Sequence, residues 1–333
     1  MSDKMKLPSL RAYAAAKSKA LVRGSSSPKT GVVNVNSISP FKSGKSAAVS
    51  FSARSSALRF AHPIDSALIK TLDNPIINEV LNKLVQAGID ASHGLTLAEG
   101  VNVSEKNYGE FYELIKECAA TLGIPVPHVV ISNSIKGINA CTAGTDQFAF
   151  IKISNILPLV MRGDELRFVI GHECGHLALG HVLYHTAANI VNTAGKLIPL
   201  IGNVVADGIA YPLKAWSRRS EISADRAGLI CCGDFDTAKR ALLRLEMGFI
   251  NIDNLDVDEY ISNSERLLKK LSFGDLKELA RDHPIIPKRL KALKLFHRSK
   301  LCAEVMNLPD VPGERRLSDV ELKNAVERIV EVI

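Results

Sequence analysis

The six cysteines of this 333-residue chain contain no CxxC pair. Cys118, Cys141, Cys174, Cys231, Cys232 and Cys302 are scattered, and the adjacent Cys231 and Cys232 are poor partners for each other. That spacing argues against a cysteine zinc finger and a disulfide framework, and suits reduced thiols in a cytosol-like compartment. A glycine-rich phosphate loop and an internal repeat are also missing. So is an apolar run long enough to span a bilayer. Between Val182 and Trp216, Lys196 and Asp207 leave ten uninterrupted residues, Leu197 to Ala206, whereas a spanning helix needs about 20. Pro199, Gly202 and Asn203 weaken that run further. The stretch reads as a buried or surface-docking helical hairpin or a lid over a cleft, with peripheral membrane contact left open. No apolar core of a secretory signal lies near Met1.

Acidic residues are nearly absent from residues 1–60, where Asp3 stands alone against eleven Lys or Arg. That segment carries +10 of a chain total of +7, which leaves −3 for the rest. The basicity therefore belongs to a leader. Its Ser-, Lys- and Ala-rich composition lacks the periodicity of a packed element. A solvated leader, a basic targeting segment, and an electrostatic contact to nucleic acid or anionic lipid all suit it. With 46% hydrophobic residues, the remainder can bury a substantial core.

The chemistry concentrates in His172-Glu173-Cys174-Gly175-His176. Residues at i and i+4 share a helix face, so both imidazoles can reach one ion. Zinc accepts neutral imidazole nitrogen and, with three protein ligands, keeps a position for a water whose pKa falls toward ~7. Glu173 points partly elsewhere and suits a general base better than a ligand. Leu166, Val169, Ile170 and Leu177 recur at helical spacing, with Asp164 as the expected N-cap. Gly171, Gly175 and Gly180 oppose a helix by ~1 kcal/mol each relative to Ala, and read as sites of close packing against a second helix. Cys174 reads as core.

Glu221 and Asp225 repeat the one-turn spacing. One carboxylate can bind metal while the next hydrogen-bonds the far nitrogen of a ligand histidine. The alternative is a solvated face carrying pairs such as Arg218 with Glu221.

These motifs resemble the zinc endopeptidases that include HtpX, the CAAX prenyl proteases and the Oma-type and BepA-like proteases, metallopeptidase family forty-eight. Ile138 to Gly144, Asp164-Glu165-Leu166, Ser217-Arg218, and His283-Pro284 with Arg289-Leu290 also match, so the likeness spans Asn139 to Arg289. It implies His172, His176 and Glu221 as ligands of one zinc ion, Glu173 as base, and Asp225 as the carboxylate behind a ligand. His283 and Arg289 become candidates for stabilising the tetrahedral intermediate or gating the metal. For His283, a loop histidine whose proline ends a helix remains the alternative. His181 matches a family position and reads as structural.

The implied fold class is α+β and mostly helical, a gluzincin-type metallopeptidase domain with a small β-sheet preceding the HExxH helix. Helices are expected over 68–84, broken at Asn74-Pro75, and over Tyr108–Leu122, Ala238–Leu245, Ile261–Leu271 and Val320–Val330. Strands are expected over Pro127–Ser132, Ala140–Ala143 and Phe148–Ile153. A peptide could add as a strand near Asn139 and Ala140, which would bind substrate; an ordinary hairpin is the alternative. The layout is a leader over 1–62, a metallopeptidase domain over 63–300 with its core at 108–292, and a helical tail over 301–333. Expected partners are protein or peptide substrates, with no specific nucleic acid. Cytoplasmic and membrane-associated locations both stay open. The competing function is a non-catalytic, zinc-stabilised protein whose basic tail binds membrane or nucleic acid.

Overall fold

A computed structural model describes residues 59–65, 67, 75, 78, 79, 81, 82, 85, 94, 96–145, 148–161, 163–194, 210–248, 251–270, 284–309, 312, 313 and 315–330. A mostly helical body is built on a small four-stranded sheet. The strands are β1 (Val101–Asn102), β2 (His128–Ser132), β3 (Ala140–Gly144) and β4 (Ala149–Ser154), in the order β1-β2-β4-β3. β2 and β4 run parallel in the middle, with His128 opposite Phe150 and Ser132 opposite Ser154. Both are apolar enough to be covered on two sides, and Val129, Val130, Phe150, Ile151 and Ile153 are buried. β3 pairs antiparallel with β4 at one edge, and the two-residue β1 pairs with β2 at the other.

Helix α1 (Gly109–Thr121) precedes β2 and buries Phe111, Leu114, Ile115 and Cys118 along one stripe, as expected from their spacing. It stops where Gly123 takes φ 65. A short α2 (Leu157–Val160) leads to α3 (Asp164–Ala178), which carries the histidine motif. Then come α4 (Val182–Ala194), the 23-residue α5 (Ala210–Cys232), α6 (Phe235–Met247), α7 (Val257–Lys270), α8 (Ile286–His297), α9 (Lys300–Val305) and α10 (Asp319–Val330). Among the described residues, no helix is long and apolar enough to cross a membrane.

The packing of α3 against α5 dominates the interior. From Leu166 to Ala178, α3 is buried at every residue but Arg167 and Leu177. Its glycines explain how the two axes come so close. A Cβ on Gly171 would lie 2.5 Å from the Cβ of Cys231, and one on Gly175 would lie 2.6 Å from the Cβ of Ala227 and 3.3 Å from the Cα of Ala224. Reciprocally, Gly228 of α5 lies against the ring and carbonyl of Phe168. The loss of helix propensity at these positions is offset by contact that no larger residue allows.

A second, smaller cluster joins Leu81, Val85, Leu183, Tyr184, Leu213 and Trp216. The end helix α10 buries Leu322, Val326, Ile329 and Val330, and packs on α8.

Several expectations shift. Asp164 is the first helical residue of α3 rather than its cap; Gly163 holds the cap position at φ 56, and Asp164 accepts from Arg167 at 2.9 Å. Val320 lies 68% exposed, because the buried stripe of α10 passes through Leu322 instead. β1 was too short for a sequence pattern. The expected 68–84 helix lies largely outside the described residues, as do the middle of the Val182–Trp216 stretch and His283.

Gly175→Ala should lower unfolding stability by about 1–3 kcal/mol through overpacking, outweighing its propensity gain. Gly109→Ala, where an added Cβ meets nothing within 4 Å, should match or exceed the parent. Thermal melts of the two variants check this.

Candidate metal centre

His172 and His176 lie one turn apart on α3 and turn their rings across the seam toward α5. Their Nε2 atoms are 3.2 Å apart, with ring planes at 83°. Glu221 of α5 completes the group. Its Oε2 is 3.5 Å from His172 Nε2, and its Oε1 is 3.3 Å from His176 Nε2. One donor atom from each of the three residues lies within 4.8 Å of the others. Glu221 is 1% exposed and Arg218 3%, so the solvated-face alternative does not hold. Three acceptor atoms converging in a buried space repel one another unless a cation or proton lies among them.

The far nitrogens of both histidines are engaged. His172 Nδ1 lies 3.0 Å from Asp225 Oδ1. Asp225 in turn accepts from Arg289 Nε at 2.8 Å and Nη2 at 2.5 Å, and Arg289 Nη1 lies 3.5 Å from Glu221. Burial opposes charge on Asp225, but Arg289 and His172 hold its carboxyl below the ordinary value. Burial likewise presses His172 down, while Asp225 and Glu221 outweigh it and raise its pKa. At His176 burial wins, and its pKa falls despite Glu221. The guanidinium of Arg289 is thus committed to the two carboxylates.

His176 Nδ1 faces His181 Nδ1 at 3.0 Å. The end of α3 makes this contact. Gly180 takes φ 74, its N–H donates to Leu177 O, and His181 N–H donates to His176 O at 2.9 Å. This left-handed cap folds the chain back and sets His181 beneath His176. His181 Nε2 reaches Asp65 Oδ2 at 3.1 Å. His185, one turn on, lies 2.6 Å from Ser220 Oγ. Asp65 escaped sequence reasoning altogether. His181 was named there, but nothing local pointed to Asp65.

Glu173, also buried, accepts from Thr142 Oγ1 at 2.6 Å. This ties it to β3, and Thr142 too was not singled out from sequence. Asn139 and Ala140 sit at the start of that edge strand, where Asn139 Oδ1 accepts from the Ala140 N–H at 2.9 Å. Both line a cavity of about 730 Å³ together with His172, Glu173, His176 and Glu221. Pro284 and Arg289 line it as well; His283 lies outside the described residues.

The family model described as Peptidase family M48 matches residues 105–296, more than half of the chain. The chain belongs to peptidase family M48. Its relatives include the "Plastoglobule-localized metallopeptidase 48, chloroplastic" of Arabidopsis thaliana, 27% identical over 210 residues. That match covers 62% of this chain and 60% of the relative, so the chain spans less than two thirds of that protein's length. A "Protease HtpX homolog" of Pseudarthrobacter chlorophenolicus is 23% identical over 218 residues, covering 59% of this chain and 75% of its own. Another of the same name from Ralstonia nicotianae is 24% identical over 224 residues, covering 60% and 78%. No solved structure matches. In this M48 chain the match includes every residue of the candidate centre named above except Asp65, which lies upstream of it.

Arg289→Met should destabilise the protein by about 3–5 kcal/mol, since it strands buried carboxylates without their cation. The stability Asp225 contributes is present above its ordinary pKa of 3.8 and lost as pH falls through the lower folded value. Without Arg289 the folded pKa rises, so acid unfolding of metal-free protein should begin at higher pH. Urea and acid titrations read both effects.

Proposed function

We propose that this chain is a zinc-dependent metalloendopeptidase that hydrolyses peptide bonds in protein substrates. The observation that carries the reading is the convergence of His172 Nε2, His176 Nε2 and the Glu221 carboxylate, with both Nδ1 atoms engaged elsewhere. The donor set suits zinc, which takes nitrogen and carboxylate oxygen in tetrahedral sites. Two imidazole nitrogens on one tetrahedral zinc would stand roughly 3.3 Å apart at ordinary bond lengths, close to the 3.2 Å found here. Three protein ligands leave one position for water or substrate, the pattern of catalytic rather than structural sites. Bound there, zinc would supply Lewis acidity to the peptide carbonyl and to water.

The chain's own residues would do the rest. Glu173, held by Thr142 at the cavity wall, would take a proton from the attacking water and deliver it to the leaving amine. Asp225 would keep His172 in the tautomer that leaves Nε2 bare, and Arg289 would hold Asp225 ionised. A substrate strand laid along β3 near Asn139 and Ala140 would receive main-chain hydrogen bonds at the rim of the cavity. His283, next to the cavity-lining Pro284, is the proposed donor to the developing oxyanion. We assign the catalytic domain to 63–300, the basic leader to 1–62 and the helical tail to 301–333. Chains of this family named HtpX protease and the plastoglobule-localized metallopeptidase support a proteolytic role. The gluzincin architecture is inferred from the second-helix glutamate and the sheet ahead of α3.

Two measurements test the assignment together. Wild type should bind one zinc ion per chain and cleave casein in a chelator-sensitive way. Glu173→Gln should retain the zinc and lose cleavage by at least ~100-fold; cleavage at the wild-type rate would remove Glu173 as the base. Glu221→Ala should lose bound metal, and a full zinc content there would exclude it as a ligand.

A further inference from the structure

We infer that Asp65, acting through His181, is a positioning residue that sets the tautomer of His176. The inference rests on the zinc reading above, and its material is a chain of buried groups behind one ligand. His176 Nδ1 lies 3.0 Å from His181 Nδ1, and His181 Nε2 lies 3.1 Å from Asp65 Oδ2. Asp65, His181, Ser223 and Trp216 are each at most 1% exposed. Trp216 and Ser223 fix the donors at the Asp65 end of this path.

Trp216 Nε1 can only donate, and it donates to Asp65 Oδ1 at 2.9 Å. Ser223 Oγ accepts the His62 N–H at 3.0 Å, so its own proton goes to Asp65 Oδ2 at 2.6 Å. Asp65 is thereby an acceptor on both oxygens, and its remaining neighbour, His181 Nε2, must carry a proton toward it. Neutral His181 then has a bare Nδ1. That lone pair faces His176 Nδ1, which must be the one carrying a proton. His176 Nε2 is therefore left bare and directed at His172 and Glu221. A doubly protonated His181 would donate from Nδ1 as well. It would force the His176 proton onto Nε2, into the space where a cation must fit. Of these arrangements, only the one with a single His181 proton, on Nε2 toward Asp65, leaves three lone pairs for the metal. His176 thus has its own buttress, separate from the Asp225–Arg289 pair behind His172.

The buttress comes from a part of the chain ahead of the family match. The Arg59–Asp65 segment is fastened to α5 by Arg226 Nη1 donating to Phe60 O at 2.9 Å and by the Ser223 contacts.

The test replaces an acceptor with a donor of the same shape. In Asp65→Asn, Trp216 Nε1 can only donate, whereas the Ser223 hydroxyl can turn its proton away and accept from an amide, so the amide oxygen goes to Trp216 and the NH2 faces Ser223 Oγ and His181 Nε2. His181 must then accept there and donate from Nδ1, and two protons meet between His181 and His176. Zinc affinity, read by competition with a chromophoric chelator, should fall 10- to 100-fold, while circular dichroism of the apo protein is retained. His181→Asn presents an amide oxygen to His176 without needing Asp65. On that background, adding Asp65→Asn should cost less than threefold, a non-additivity that mere destabilisation would not produce. An Asp65→Asn zinc affinity within threefold of wild type overturns the inference, as does full additivity of the two substitutions. Histidine ring 15N shifts of zinc-loaded wild type give the same answer without any variant. His181 should show a bare Nδ1 and a protonated Nε2, and a proton on Nδ1 would overturn the relay. Wild type that took up no zinc would instead bring down the metal reading beneath it.

Discussion

The near-contact of α3 and α5 is the constraint from which the rest of the structure follows. Gly171 and Gly175 on one helix, and Gly228 on the other, remove the side chains that would hold the two axes apart. Only at that separation can Glu221 reach the imidazoles of α3, and Asp225 reach the back of His172. The geometry of a buried charged site is thereby set by van der Waals contact between small residues. The sheet has a subordinate part. β3 packs against α3 and α4, and through Thr142 it holds Glu173 at the cavity wall.

Burying so many ionisable groups is costly unless each has a partner. The protein meets this by pairing charges in sequence across elements. Arg289 of α8 neutralises Asp225 and leans on Glu221. Arg226 turns the other way, where it rests over the Phe296 ring and donates to Phe60 O, and burial lowers its pKa to about 10. Adjacent residues of one helix thus serve opposite sides of it. The contacts behind the two histidines differ in kind: His172 backs onto the Asp225–Arg289 ion pair, whereas His176 backs onto a second imidazole that in turn meets Asp65.

Much of this was legible in the sequence because it is local. The i, i+4 spacing of His172 and His176 already requires a shared face, and the helix-opposing glycines around them already pointed to a close neighbour. The strands β2, β3 and β4 were visible as apolar runs between turns. What stayed hidden was decided by tertiary contact. Whether Glu221 faced water or the interior depended on which side of α5 met α3, and no pattern within α5 encodes that. Asp65 lies over a hundred residues from His176, and its significance exists only in three dimensions. The Asp164 expectation failed for a small reason, since Gly163 could take a positive φ and start the helix one residue early for that role. Val320 failed because an apolar residue at the first turn of α10 need not join the stripe that the later turns bury.

The 23-residue α5 serves three faces at once as a rigid rod. Along its length, Ala224, Ala227 and Gly228 meet α3, Glu221 and Asp225 meet the site, and Trp216 and Ser223 meet Asp65. A helix turns only as a unit, and one residue more or fewer within it rotates everything beyond by about 100°. No such change between 216 and 228 can suit all three faces at once. Length variation between Trp216 and Gly228 is therefore excluded, and an insertion placed there would scramble the assembly rather than stretch it.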